Sequence, residues 1–183
     1  MFVAILLVIG TGLFGWASSW GAPVFAAGLV ALALWLGRYD IARRTVRTPG
    51  LTRYIAICLL SGYVWLAIGG AVVVAAGGFA PGTRAYDVAV HALGMGFVFS
   101  MVFGHAPVIF PAVLRVTMPY HAAFYVPLAL LHLSLAVRIA GDAAHRIDWV
   151  RAGALGNALA IAVFIATAAS AVWRGRRQAG RPA

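Results

Sequence analysis

The sequence predicts an all-α polytopic integral membrane protein, a bundle of six transmembrane helices with both termini cytoplasmic. Three observations carry this reading. Hydrophobic residues make up 63% of the 183 positions and charged residues only 10%, a balance that the surface of a water-soluble domain of this size cannot cover. The apolar residues gather in six runs of 15–27 residues, around the length of about 17–25 that crosses a bilayer. The arginines fall between those runs, in unequal numbers on the two sides.

The six runs extend roughly from Val3 to Ser19, Ala22 to Leu36, Tyr54 to Ala76, Val88 to Leu114, His121 to Val137 and Ala152 to Trp173, and none holds an Asp or Arg in its interior. Small residues from Ala17 to Ala22 would suit a cleavage site after the first run. The start of the chain lacks Lys or Arg, and the run is long for a signal peptide, so it is read as a span. The second run is the shortest, and Trp35 beside the neighbouring arginines sets its end at the interface. Pro107 and Pro111 interrupt the end of the fourth, where proline either kinks or terminates a helix. No fixed-period repeat or low-complexity tract divides the chain, so residues 1–183 form a single transmembrane domain.

Six spans place both termini, the segment from Gly37 to Arg53 and the connection at Arg115 on one side. That side holds Arg38, Arg43, Arg44, Arg47, Arg53, Arg115, Arg174, Arg176, Arg177 and Arg181, whereas the other holds Arg84, Arg138, Arg146 and Arg151 with Asp87, Asp142 and Asp148. The positive-inside rule makes the richer side cytoplasmic. A bacterial inner (plasma) membrane is the expected location, with the lipid bilayer as the obligatory partner. Nucleic acid is not an expected partner, because the arginines accompany apolar runs and no soluble binding module carries them. The chain has no lysine and no glutamate, so it lacks the mixed-charge surface of a soluble domain. Cys58, alone in an apolar run, reads as packing.

The absences narrow function. No span carries the carboxylate that ion-coupled transport ordinarily uses. No nucleophile–base spacing, HExxH motif or phosphate-binding glycine loop with lysine is present.

The polar exceptions within the spans are histidines. His91 and His105 fall on the fourth, and His121 and His132 on the fifth. An imidazole in lipid is costly unless paired, hydrogen-bonded or metal-bound, so these are candidate cofactor-binding residues. On a regular helix, His91 and His105 return to within about 40° of one face, and His121 and His132 to within about 20°. The first stripe runs through Met95, Val98 and Val102, and the second through Tyr125 and Leu128. Two antiparallel helices presenting such faces can supply the two axial imidazoles of haem b. If the fourth helix stops near His105, His105 and His121 share one level and His91 and His132 another. If it continues through the prolines, His105 comes closest to His132, and one site results.

Single histidines also serve as interhelical hydrogen-bond partners, and His121 lies where amphipathic rings collect at an interface. His145, beside Asp142, Arg146 and Asp148, reads as a solvated loop residue. Ala92, Gly96, Ser100 and Gly104 form a small-residue stripe on roughly the opposite side of the fourth span from His91, suited to close helix packing. Gly94 on the histidine side leaves room for a porphyrin edge. Met95 and Met101 are soft sulfur donors suited to Cu(I), or ordinary apolar filling.

The segments HALGMGFVFSMVFGHAPVIFPAVL and YHAAFYVPLALLHLSLAVRIAGD resemble the histidine-bearing helices of the NnrS-type haem- and copper-containing membrane proteins associated with nitric oxide metabolism. The resemblance covers the fourth and fifth spans, in a chain with about half the usual number of helices. It implies a redox-active or gas-responsive metal centre with His91, His105 and His132 as metal or haem ligands; at this length a complete site of that kind requires two copies to assemble. The expected function is therefore a haem b, or copper, binding membrane protein in electron transfer or nitric oxide handling. The rival is a non-enzymatic subunit whose histidines only hydrogen-bond between helices and whose small-residue face docks a larger membrane complex.

Overall fold

The structure, a computed structural model, describes residues 2–15 and 20–179. The end of the first predicted span, most of the small-residue run around Ala17 and the C-terminal Arg181 lie outside the described residues. The described residues are helical, without strands: α1 (Phe2–Gly15), α2 (Gly21–Tyr39), α3 (Ala42–Thr45), α4 (Leu51–Ala75), α5 (Arg84–His91), a π-helical segment (Ala92–Val98), α6 (Phe99–Leu114), a 3-10 turn (Ala122–Phe124), α7 (Tyr125–Ala143) and α8 (Ile147–Ala179).

Among the described residues, five helices or continuous helical rods are long and apolar enough to cross a membrane: Gly21–Tyr39, Leu51–Ala75, Arg84–Leu114, Ala122–Ala143 and Ile147–Arg177. Their outward surface is itself apolar, with Leu155 73% and Leu133 66% exposed. Water would reject a surface built from such side chains, whereas hydrocarbon accepts it. The chain is an integral membrane protein by this criterion. α1 is shorter, at 14 residues, and packs along α2.

The bundle is assembled from neighbours in sequence. α2 packs on α4, α4 on the rod Arg84–Leu114, and α7 on α8. The principal core joins α4, α6, α7 and α8 through Tyr54, Cys58, Phe103, Phe124, Leu131 and Phe164. The Phe103 and Phe164 rings stack with centroids 3.9 Å apart. Burial of Cys58 in this cluster is the packing role expected of it.

The small-residue stripe lies wholly inside. Ala92, Gly96, Ser100 and Gly104 are all buried, and α4 covers them: a Cβ on Gly96 would stand 2.4 Å from Trp65 Cγ, and one on Gly104 would stand 2.9 Å from Cys58 Cβ. The stripe therefore brings two backbones together within one chain. It is not a free docking face.

The fourth predicted span does not end at its prolines. α6 continues through Pro107 and Pro111 to Leu114, and Arg115 closes it in the left-handed conformation (φ 53°). Of the two arrangements open to the sequence, the uninterrupted rod is the one present. Upstream, the π-helical segment from Ala92 to Val98 separates His91 from His105. Its i→i+5 bonding takes up about one residue more per turn than an α-helix, which rotates everything beyond it by about 100°.

Candidate ligand-binding histidines and the polar cluster

The four candidate histidines occupy four different surroundings. His91 ends α5, half-buried, with Nδ1 2.8 Å from the Asp87 carbonyl oxygen and 3.4 Å from a carboxylate oxygen of the same residue. His105 is exposed on α6, with Nδ1 2.8 Å from the Met101 carbonyl. Val98 and Val102, on the stripe leading to it, are also exposed. His121 caps the 3-10 turn, where Nδ1 accepts the Ala123 N–H at 3.1 Å. His132 lies inside, where Nδ1 accepts the Trp65 indole N–H at 2.8 Å and the two rings lie 15° from parallel.

These bonds sort the imidazoles by tautomer. A carbonyl oxygen only accepts, so in the neutral ring Nδ1 of His91 and of His105 carries the proton and Nε2 keeps its lone pair. A backbone or indole N–H only donates, so His121 and His132 accept at Nδ1 and carry the proton on Nε2. A metal binds a lone pair, and metal-ligating histidines commonly donate their other N–H to a carbonyl or carboxylate. His91 and His105 have that arrangement. His132 Nε2 is instead a buried donor with no hydrogen-bond partner, and its ligation would require Trp65 to release Nδ1.

Each of the four histidines hydrogen-bonds to a different partner. Among the described residues no group of three or more His, Cys, Asp or Glu is placed to hold a metal ion. His91 and His105 stand on one rod, about 20 Å apart at 1.5 Å per residue, too far to serve one macrocycle. Their faces diverge as well, His91 turning to α7 and His105 to the outside, because the π segment breaks the register that a regular helix would have kept. His105, exposed and with Nδ1 on the Met101 carbonyl, can offer Nε2 as a single ligand. Gly94 leaves open space where a side chain would stand. Met95 packs against the core, and the Met101 side chain meets Gly62 of α4.

A family model described as a domain of unknown function, DUF8744, matches residues 1–173. The chain belongs to the DUF8744 family. No curated protein and no solved structure matches it. The region matched by the DUF8744 model takes in all five histidines and the charged cluster that surrounds His91.

That cluster is the part of this DUF8744 chain that sequence spacing did not assemble. Arg138 of α7 holds both carboxylate oxygens of Asp87, at 2.8 and 3.0 Å. Asp142, one helical turn beyond Arg138, completes the group with Asp87, Arg138 and His91 as its electrostatic neighbours. The bidentate fork fixes α5 against α7. Helix α8 fixes α7 in turn: Gly153 lies so close to Arg138 that a Cβ would stand 2.6 Å from its backbone N, and Ser134 donates to the buried Asn157. The readable signal was the Arg138/Asp142 spacing of four on the side predicted to carry Asp87. His145 stands apart, exposed and left-handed (φ 56°), as the cap that ends α7.

Proposed function

We propose that this chain binds haem b or copper through the Nε2 atoms of His105 and, at a second level, His91, and works in electron transfer or nitric oxide handling. The observation that carries the proposal is the Nδ1 contact of each ring to a backbone carbonyl, 2.8 Å in both, which orients the ring and leaves Nε2 free. A ligand-ready imidazole on an exposed face of the rod calls for a partner, and a second copy supplies the matching His105. A metal or haem held there brings one-electron chemistry or gas binding. The protein's own residues orient the ligand ring and, through the Met101 carbonyl, raise its basicity. The resemblance to NnrS-type proteins supports the same reading.

The proposal includes six spans with both termini cytoplasmic in a bacterial inner membrane, on the arginine distribution. Its test is the absorption spectrum and copper content of protein purified in mild detergent after expression with ample haem. A Soret band or stoichiometric copper that His105→Ala removes, and that His145→Ala leaves, is the expected result. No chromophore and no metal in the wild-type protein would sink it.

The rival, a non-enzymatic subunit, draws on the Trp65–His132 hydrogen bond and the His121 cap, where imidazoles hold structure together. A metal-free chain that co-purifies with a larger membrane complex would favour it.

A further inference from the structure

The arginines between α2 and α4 do more than mark a side of the membrane. Arg38, Arg43, Arg44 and Arg47 line a cleft of about 550 Å³ around Asp40. Asp40 does not pair with any of them. Its Oδ1 accepts the Ala42 N–H at 2.7 Å and its Oδ2 accepts the Tyr63 hydroxyl at 3.1 Å, which pins the elbow between α2 and α3 to α4. Arg43 donates to the Arg38 carbonyl at 3.1 Å, and Arg38 lies 5.2 Å over the Tyr39 ring. The guanidinium groups of Arg44 and Arg47 have no hydrogen-bond or ion-pair partner among the described residues. Four like charges thus converge on one concavity with little to neutralise them.

A second, apolar groove of about 700 Å³ adjoins the cleft and shares Arg38 and Arg43 with it. It runs between α2 and α4 past Leu34, Leu60, Val64 and Ala67, and Leu34 and Val64 are 67% and 58% exposed. Trp35 and Tyr39, both exposed, mark the headgroup level where such rings collect. The cleft therefore lies on the aqueous side of that level and the groove on the hydrocarbon side. A cationic pocket continuous with an apolar channel matches one kind of molecule, a phosphate ester carrying an acyl chain.

We propose that the α2–α3 elbow and the α2–α4 groove bind one anionic phospholipid, its phosphate among Arg38, Arg43, Arg44 and Arg47 and an acyl chain along Leu34 and Val64. Basic pockets between transmembrane helices select acidic headgroups in this way. A zwitterionic headgroup brings its own ammonium and gains less. Free phosphate fills only the cleft, so the groove sets lipid apart from a soluble anion.

Native mass spectrometry of the full chain in detergent tests this, with phosphatidylglycerol and phosphatidylcholine of the same acyl composition as probes. The expected result is one tightly held phosphatidylglycerol and no equivalent phosphatidylcholine. The double variant Arg44→Gln/Arg47→Gln weakens binding by about 25-fold, at roughly fivefold for each basic residue removed. Leu34→Trp, which narrows the groove and leaves every arginine in place, also weakens it. Arg176→Gln/Arg177→Gln, which removes the same charge from the end of α8, leaves binding unchanged. Equal binding of the two lipids, equal loss in the α8 variant, indifference to Leu34→Trp, or full displacement by inorganic phosphate would each overturn the proposal. All substituted side chains are exposed, so the variants keep the fold.

Discussion

A backbone carbonyl can only accept a proton and an indole N–H can only donate one, and that asymmetry separates histidines that look alike in sequence. Nitrogen-15 histidine NMR on the neutral protein should show the proton on Nδ1 for His91 and His105 and on Nε2 for His121 and His132. A lone pair on Nε2 of His132 would remove the basis for the sorting. The functional consequence is specific: His105→Ala removes bound metal or haem, whereas His132→Ala chiefly costs stability. Its loss leaves the Trp65 indole N–H without the acceptor it now has at 2.8 Å, a penalty of about 1–3 kcal/mol, read as a lowered thermal midpoint. Arg138 behaves as a structural residue of the same order. Arg138→Leu strands Asp87 beside Asp142 and should destabilise the chain by about 1–3 kcal/mol, since a charged hydrogen bond is lost. Adding Asp87→Asn should recover part of that loss, and a double variant no more stable than Arg138→Leu would show that the pair does not couple α5 to α7.

At the scale of the element, the decisive features are the small-residue stripe and the π segment. Gly96 leaves no room for a side chain against Trp65, so Gly96→Ala should cost about 1–3 kcal/mol through overpacking and disturb the Trp65–His132 bond. Ser100→Leu, also against α4, should unfold the isolated chain. A Ser100→Leu protein that stays fully stable alone yet loses a bound partner would return the stripe to a docking role. The helices were legible in sequence because a bilayer demands long apolar runs whatever their neighbours, and the five long spans follow runs visible in composition alone. The stripe was legible because spacing by four survives on a tightly packed helix. The histidine face was not, since projecting fourteen residues at 100° each assumes α geometry, and seven of the intervening residues are π-helical. Nor does spacing reveal a partner on another helix: Trp65 for His132 and Arg138 for Asp87 are tertiary facts.

For the whole molecule, insertion of α1 decides on which side of the bilayer Phe2 lies. Its 14 described residues rise about 21 Å, less than the ~30 Å hydrocarbon core. Yet Gly10 abuts the Phe25 backbone and Leu7 abuts Gly28, so α1 runs antiparallel along α2. Continued to Phe2, that register reaches about the level of Ala33, near the basic end of α2 that carries Arg38. A helix lying on the membrane surface would not follow a spanning partner lengthwise in this way. With α1 inserted, Phe2 faces the same side as Thr48 and Arg176, and the connections at Ala80 and Arg146 face the other. Single-cysteine variants on a Cys58→Ser background, treated with an impermeant thiol reagent in right-side-out and inside-out vesicles, decide the matter. Phe2→Cys, Thr48→Cys and Arg176→Cys should react from the cytoplasmic side only, and Ala80→Cys and Arg146→Cys from the outside only. Reaction of Phe2→Cys from the outside would leave five spans and move the start of the chain across the membrane. The Arg38 cluster and the polar group at Asp87 would keep their opposite sides in either case, because the five longer helices set them.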